Sequence, residues 1–170
     1  MYTVVSTRFT DETWEQNLEY RKKNSSRGCI YGSPQEMSPK ILYDSIVFVV
    51  EMNNDINEIK GIGLVKNRPF LDKYYQIYKD GNYNRFIYKS DYYLDRDALM
   101  RFNKVLVDIL EYVLFKEKSH LKRGSGFTTI TQTLLSSKKH EKCKKLDIVK
   151  ITQVIRACFS EIFAETPTCT

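Results

Sequence analysis

Two apolar runs joined by a short polar turn constrain the fold of this chain most strongly. The first run, SIVFVVEM, covers residues 45–52, and the second, EIKGIGLVK, covers residues 58–66. Each has the length of one strand, and the intervening NNDIN consists largely of turn-forming residues. The sequence therefore predicts a β-hairpin whose first strand is buried.

Two glycines stand in the second run where a strand normally carries side chains. Gly61 and Gly63 are one residue apart, so both point to the same face of the predicted strand. Glycine in a strand marks a bulge, a bend or the close approach of another group. Two interpretations stay open: a tightly coiled sheet on which a helix packs closely, or a backbone that a ligand approaches.

The N-terminal third predicts a strand followed by a helix. Residues 2–9 alternate loosely and are rich in β-branched types, which favours a strand. Thr10 or Asp11 then caps a helix that places Trp14 and Leu18 on one face. A polar loop leads from this helix to CIYGSP, and Tyr31 lies at that point.

The remaining segments predict a second hairpin and two amphipathic helices. Residues 73–79 and 83–94 flank the turn DGN and are expected to pair as strands. Asp95 is a cap candidate for a long helix to about Phe115, FTTITQTLL begins either a strand or a helix, and residues 147–164 carry a further apolar stripe. The expected fold class is therefore α+β, a curved antiparallel sheet flanked by helices, in one domain over residues 1–170.

The overall charge favours a polyanionic partner. Lys and Arg number 27 against 21 for Asp and Glu, which gives a net charge of +6, and tyrosine (12) far outnumbers tryptophan (1). No signal peptide and no apolar stretch of membrane-spanning length is evident, so we expect an intracellular protein, cytoplasmic or nuclear, with no membrane partner. The spacing of Cys29, Cys143, Cys158 and Cys169 does not match a metal site, and no metal or cofactor is predicted.

Two basic segments are candidates for contact with phosphate groups. In HLKRGSGF, Lys122 and Arg123 precede a glycine-rich turn whose N–H groups can cradle a phosphate, although a helix C-terminus with a capping glycine has the same pattern. In the basic loop 136–146, the lysines Lys138, Lys139 and Lys142 can bind nucleic acid, or the loop is simply solvated.

The segment YNRFIYK is a candidate stacking surface. In a strand, Tyr83, Arg85 and Ile87 would share one face while Asn84, Phe86 and Tyr88 would share the other. Aromatic rings and an arginine on an exposed sheet face can bind bases. The alternative is that these rings pack in the core, which leaves Arg85 as the candidate contact.

The order of elements in residues 1–70 resembles the first half of PUA-like domains, particularly their YTH and EVE branches. The resemblance rests on YTVVSTRF, TDETWEQNLEYRK, CIYGSP, SIVFVVEM, NNDIN and EIKGIGLVKN followed by proline. It implies an open or nearly closed β-barrel that binds RNA or a modified base, with Tyr31 and Trp14 as stacking walls. The segment FVVEMNNDINEIKGIGLVKNRP also resembles sequences of proteins encoded by large cytoplasmic DNA viruses.

Three functional hypotheses follow. The first is a nucleic-acid-binding module, for RNA rather than DNA, that uses a basic and aromatic concave surface. The second is a structural or interaction protein of a virion or replication factory, with a viral or host protein as partner. The third is a nuclease or modified-base enzyme, which is less favoured because His120 and His140 lie in basic segments without a neighbouring nucleophile and carboxylate in the sequence.

Overall fold

The computed structural model describes residues 2–164 of the chain. Its elements follow in the order β1 (Tyr2–Phe9), α1 (Asp11–Lys23), β2 (Cys29–Ser33), β3 (Ile46–Asn53), β4 (Glu58–Lys66), β5 (Phe86–Ser90), β6 (Tyr93–Asp95), α2 (Arg96–Phe115), β7 (Thr128–Thr129), α3 (Gln132–Ser137), α4 (Glu141–Lys144) and α5 (Ile148–Ala164). A single 3₁₀ turn, Gly81–Asn84, precedes β5. The α+β class is therefore confirmed.

The main sheet has five strands in the order β6-β4-β3-β1-β7, and β2 and β5 form a separate antiparallel pair. The prediction of a wholly antiparallel sheet is wrong, because β1 and β3 are parallel neighbours. Parallel neighbours need a crossover connection, and α1 with β2 supplies it. Among the described residues, no ladder joins the two sheets into a closed barrel, so the PUA-like architecture stays a prediction.

The predicted central hairpin is confirmed, since β3 and β4 pair in antiparallel register around residues 54–57. Phe48 and Val50 of β3 belong to the core that α2 and α5 complete. Val47 and Val49 belong to a second core on the opposite face, which β2 and β5 complete. A strand covered on both faces is largely apolar, which explains the apolar run over residues 46–50.

Helix α1 begins where the sequence places its cap, but it buries a different face. Thr10 accepts a hydrogen bond from the Thr13 N–H and completes a capping box. Leu18, predicted to share one face with Trp14, is 43% exposed, whereas Asn17 and Arg21 are buried. The helix therefore contributes polar groups to the interior, and these groups need partners there.

The predicted second hairpin is wrong. Residues 73–79 form no strand, Tyr83 lies in the 3₁₀ turn, and β5 pairs with β2, which the sequence analysis treats as part of a loop. The Asn84 side chain accepts hydrogen bonds from the N–H groups of Ile77 and Tyr78 and donates to the Tyr78 carbonyl. These local bonds replace strand pairing and close the segment into a loop.

The two long helices are confirmed, and so is the Asp95 cap, which accepts from the Ala98 N–H. Helix α2 is interrupted at Asn103, whose side chain caps the second part by accepting from the Leu106 N–H. FTTITQTLL supplies both a short strand, β7, and helix α3. None of the described helices is long and apolar enough to cross a membrane.

Candidate functional site

An ion pair lies buried between the main sheet and the β2–β5 pair. The Arg21 Nη2 is 2.7 Å from the Glu51 Oε1, and both side chains are almost fully excluded from solvent. Tyr31 donates to the same oxygen at 2.9 Å, and Tyr93 donates to Oε2 at 2.8 Å. Burial lowers and the Glu51 carboxylate raises the pKa of Arg21, with a net shift upward. The pair is therefore charged and held by two tyrosines.

Aromatic rings surround the guanidinium of this pair. The Arg21 Cζ lies 4.7 Å from the ring centroid of Tyr93 and 5.4 Å from that of Trp14. Its Nε is buried without a hydrogen-bond partner among the described residues, so the rings supply part of the missing interaction. Burial raises the pKa of Tyr31 and of Tyr93, which keeps both hydroxyls protonated as donors.

The glycines of β4 make room for this cluster, which corrects the prediction of a ligand there. A Cβ at Gly63 would lie 2.2 Å from the Tyr31 hydroxyl and 2.6 Å from the Cys29 sulfur, and a Cβ at Gly61 would lie 2.4 Å from the Tyr93 hydroxyl. Both glycines are buried. The packing interpretation therefore holds, but strand side chains, not a helix, fill the space.

A cleft opens at the carboxyl end of β1, beside the start of α1. We call it the glycine-turn cleft. It has a volume of about 370 Å³, within the range of small-molecule sites. Five segments line it, namely the end of β1 and the start of α1, part of β2 at Gly32, Asn54 in the turn between β3 and β4, the segment 78–83, and the turn 124–126.

Arg8 of β1 holds the glycine turn in place. Its Nε donates to the Leu121 carbonyl at 2.6 Å and its Nη1 to the Gly126 carbonyl at 3.1 Å, while Nη2 donates to the Thr128 hydroxyl. Burial lowers the pKa of Arg8. This guanidinium therefore fastens the turn to the sheet and forms one wall of the cleft.

Two close approaches explain why glycines occupy the walls. Gly126 has a φ of +68°, and a Cβ there would lie 2.8 Å from the Ser33 hydroxyl. A Cβ at Gly32 would lie 2.0 Å from the Tyr83 carbonyl oxygen. Phe127 then anchors the turn, with its ring edge-on to Tyr88 at 5.2 Å. Both glycines are needed to bring the three segments together.

The glycine turn offers hydrogen-bond donors that the protein does not use. In the described part of the chain, no protein group accepts from the N–H groups of Gly124, Ser125 or Gly126. Lys122 and Arg123 precede the turn and form no ion pair with any described residue. Unused donors beside unpaired cations favour an anionic or carbonyl-bearing ligand. The alternative of a helix C-cap is wrong, because α2 ends at Phe115.

Two tyrosines form a further part of the cleft wall. Tyr78 and Tyr83 meet edge-on with ring centroids 6.3 Å apart, and Tyr83 is 37% exposed. The Asn17 amide donates to the Tyr78 hydroxyl at 2.9 Å, which fixes that ring. Burial raises the pKa of Tyr78 to about 12. The wall therefore combines one fixed ring with one ring accessible to a ligand.

The two predicted stacking walls lie elsewhere. Tyr31 is fully buried within the ion-pair cluster, so its predicted role as a wall for a base is wrong. Trp14 is half-buried and does not line the cleft, but its ring packs edge-on against Phe9, which does, at 5.2 Å. Trp14 is therefore a neighbour of the cleft, and its contact with a ligand stays a prediction.

The other predicted contacts do not converge on the cleft. Arg85 is exposed at the start of β5, in a shallow depression near Phe86. Lys138 is fully buried and its Nζ donates to the Lys116 carbonyl at 2.9 Å, so its predicted phosphate contact is wrong. Lys139 and Lys142 are exposed, and the Lys139 N–H donates to the Glu117 carboxylate.

Several residues that build this region were not predicted from the sequence. Glu51 had a visible signal, because it is a carboxylate inside an otherwise apolar run. Arg21 had none, since it lies among exposed lysines in the helix sequence, and Arg8 resembled any polar residue of an alternating strand.

Within residues 2–164, no group of three or more His, Cys, Asp or Glu side chains is placed to hold a metal ion.

Comparison of the chain with models of protein families, with curated proteins and with solved structures finds no match.

Proposed function

We propose that this protein binds RNA, and that the glycine-turn cleft accepts a base or nucleotide of a single strand. The observation that carries the proposal is the cleft itself, which is lined both by the turn 124–126, with its unused backbone donors, and by Tyr83. Donors of this kind bind phosphate or base carbonyl oxygens, and an exposed tyrosine ring stacks on a base.

The size of the cleft favours a single nucleotide over a duplex. A cavity of about 370 Å³ accommodates one small organic group, whereas a duplex would need a surface along which to lie. Lys122 and Arg123 do not line the cleft, but they directly precede the turn that does, and we propose that they contact a backbone phosphate of the same strand. The resemblance to PUA-like domains, which bind RNA or a modified base, agrees with this proposal and stays a prediction, as do the viral source and intracellular location.

The test is fluorescence anisotropy of labelled single-stranded and duplex RNA and DNA with the full chain at several salt concentrations. We expect single-stranded RNA to bind most tightly and to change the emission of Trp14, whose ring contacts the cleft residue Phe9. The double variant Lys122→Ala/Arg123→Ala should lower affinity and reduce the slope of log affinity against log salt by about 1.4, at ~0.7 for each phosphate contact.

A charge-matched variant separates these contacts from the overall charge. Arg101→Ala/Lys150→Ala removes two exposed cations from α2 and α5 and likewise changes the net charge from +6 to +4. We expect a weaker effect from this variant than from the change at the turn. Equal effects of the two variants would indicate non-specific attraction, and an absence of binding at low salt would refute the proposal.

A second candidate function is protein–protein interaction, because large apolar side chains are strongly exposed. Leu42 and Tyr43 are each 71% exposed, Leu71 is 78% exposed and Tyr74 is 69% exposed. Exposed apolar side chains of this size occur at interaction sites. Light scattering across a range of protein concentrations tests this function, and self-association that Leu71→Ser and Tyr74→Ser abolish would support it.

A further inference from the structure

We propose that a groove along α1 binds the remainder of the bound strand. It runs from the glycine-turn cleft to a cavity beyond the helix that is lined by Arg27, Lys73 and Lys89, which we call the basic pocket. This inference rests on the proposed function and extends it to the path, length and strandedness of the ligand. Three adjoining cavities define the groove, and their lining residues overlap from one cavity to the next.

The overlap follows one stripe of the helix. Gln16 lines both the glycine-turn cleft and the middle cavity, while Tyr20 and Asn24 line both the middle cavity and the basic pocket. These residues are four apart in sequence, so they lie above one another on the same face of α1. The opposite wall is the loop of residues 70–80, which lacks strand pairing at 73–79. The three cavities therefore adjoin along the helix, and one contact crosses between them, since the Gln16 Oε1 accepts a hydrogen bond from the Lys79 N–H of the opposite wall at 2.9 Å.

The far end of the groove combines cations with aromatic rings. The basic pocket has a volume of about 930 Å³, and Arg27, Lys73 and Lys89 line it together with one carboxylate, Asp91. The Lys89 Nζ lies 4.8 Å from the ring centroid of Phe70 and 5.0 Å from that of Tyr75. None of the three cations forms an ion pair among the described residues.

This composition fits the backbone and bases of a single strand. Proteins that bind single strands combine a positively charged groove, which follows the phosphates, with rings on which bases stack. In the basic pocket, Tyr20 and Phe70 are partly exposed and can provide such rings. Along the groove, the Lys79 Nζ forms an ion pair with the Glu12 Oε1 at 3.3 Å. Because both side chains are exposed, breaking this pair so that Lys79 can contact a phosphate costs little free energy.

The length of the groove sets the expected site size. The stripe from Glu12 to Asn24 rises about 18 Å at ~1.5 Å per residue. A single strand with the rise of a stacked helix, ~3.4 Å per nucleotide, makes about five steps over that distance, and five steps join about six nucleotides. Affinity should therefore increase with length up to about six nucleotides and then level off.

The experiment measures the affinity of the full chain for single-stranded RNA oligonucleotides of increasing length, beginning with a dinucleotide. The test variant is Arg27→Ala/Lys73→Ala, which changes two exposed cations of the basic pocket, and Arg101→Ala/Lys150→Ala is the charge-matched control. We expect the test variant to weaken binding of longer oligonucleotides by about tenfold at low salt and to leave the dinucleotide unchanged.

The outcomes separate this inference from the function on which it rests. Loss of affinity confined to longer oligonucleotides supports the groove. Binding that is independent of length, or that the test and control variants change equally, overturns the groove and leaves RNA binding at the cleft intact. If no oligonucleotide of any length binds at low salt, both the proposed function and the groove are overturned.

Discussion

At the scale of single residues, the buried carboxylate of Glu51 organises the interior between the two sheets. It accepts hydrogen bonds from Arg21, Tyr31 and Tyr93, which come from three different elements. A buried charge that loses its partner is costly, whereas replacing the whole pair with apolar groups can be neutral. Glu51 therefore determines how α1, β2 and β6 are held together.

We predict that Glu51→Gln lowers the free energy of unfolding by about 3–5 kcal/mol, because Arg21 would remain as a buried charge without a counter-ion. Chemical denaturation of the variant and the wild-type protein measures the difference. The double variant Arg21→Met/Glu51→Leu should recover part of the loss.

An exposed pair supplies the control for this prediction. Lys104 and Asp108 are 2.6 Å apart on α2, with both side chains more than half exposed. Asp108→Asn should change the free energy of unfolding by less than about 0.5 kcal/mol. A cost for Glu51→Gln no larger than that for Asp108→Asn would refute the role of the buried pair.

At the scale of elements, β4 can approach β2 and β6 only because it lacks side chains at Gly61 and Gly63. The register of β3 and β4 shifts between Glu51 and Met52, a bulge that leaves Lys60 as the extra residue. The Lys60 carbonyl also accepts a hydrogen bond from the Tyr93 hydroxyl. Strand pairing and ion-pair geometry are therefore coupled through this part of β4.

We expect Gly63→Ala to lower the free energy of unfolding by about 3 kcal/mol, because its Cβ would collide with the Tyr31 hydroxyl and force it away from Glu51. Gly81→Ala is the matched control, since the nearest atom to a Cβ there is 3.7 Å away. Its effect should stay within about 0.5 kcal/mol. Thermal or chemical denaturation compares the two variants, and similar costs would contradict the packing explanation.

At the scale of the whole molecule, the main sheet separates a helical layer from a polar and aromatic layer. Helices α2 and α5 complete the core on one face, while β2, β5 and α1 complete the other. The glycine-turn cleft, the groove along α1 and the ion pair all involve residues of α1. The proposed ligand surface therefore belongs to the layer that is richest in buried tyrosines.

Buried tyrosines and thiols make the stability of the whole molecule depend on alkaline pH. Burial raises the pKa of the Cys29 thiol from 9.0 to about 11 and that of Tyr78 from 10.0 to about 12. In each case the unfolded chain loses its proton at a lower pH than the folded chain. The stabilising contribution is therefore complete below pH 9 and is lost as the pH rises toward 12.

We predict that the free energy of unfolding falls as pH rises above about 9, and that Tyr78→Phe makes the decline between about pH 10 and pH 12 shallower. Denaturant titrations at a series of pH values measure both slopes. Tyr43→Phe is the control, because Tyr43 is 71% exposed, and it should leave the slope unchanged. A slope that Tyr78→Phe does not alter would contradict this assignment.

Local patterns determined the parts of the fold that the sequence predicts correctly. The bounds of β1, β4 and α2 agree with residues 2–9, 58–66 and the cap at Asp95, because periodicity and capping depend on residues a few positions apart. The cations Lys122 and Arg123 beside a glycine turn were visible in the same way. The hydrogen bonds from Arg8 to this turn, and the presence of Tyr83 in the same cleft, were not visible in the sequence.

The contacts between segments that are distant in sequence could not be predicted from local patterns. Arg21 and Glu51 are 30 positions apart, and nothing local to Arg21 distinguishes it from the exposed lysines that follow. The parallel pairing of β1 with β3, the pairing of β2 with β5, and the burial of Tyr31 and Lys138 likewise depend on partners remote in sequence. Local sequence patterns therefore specify the helices, the central hairpin and the basic turn, whereas long-range packing determines where the cleft lies, because burial is a property of the assembled layers.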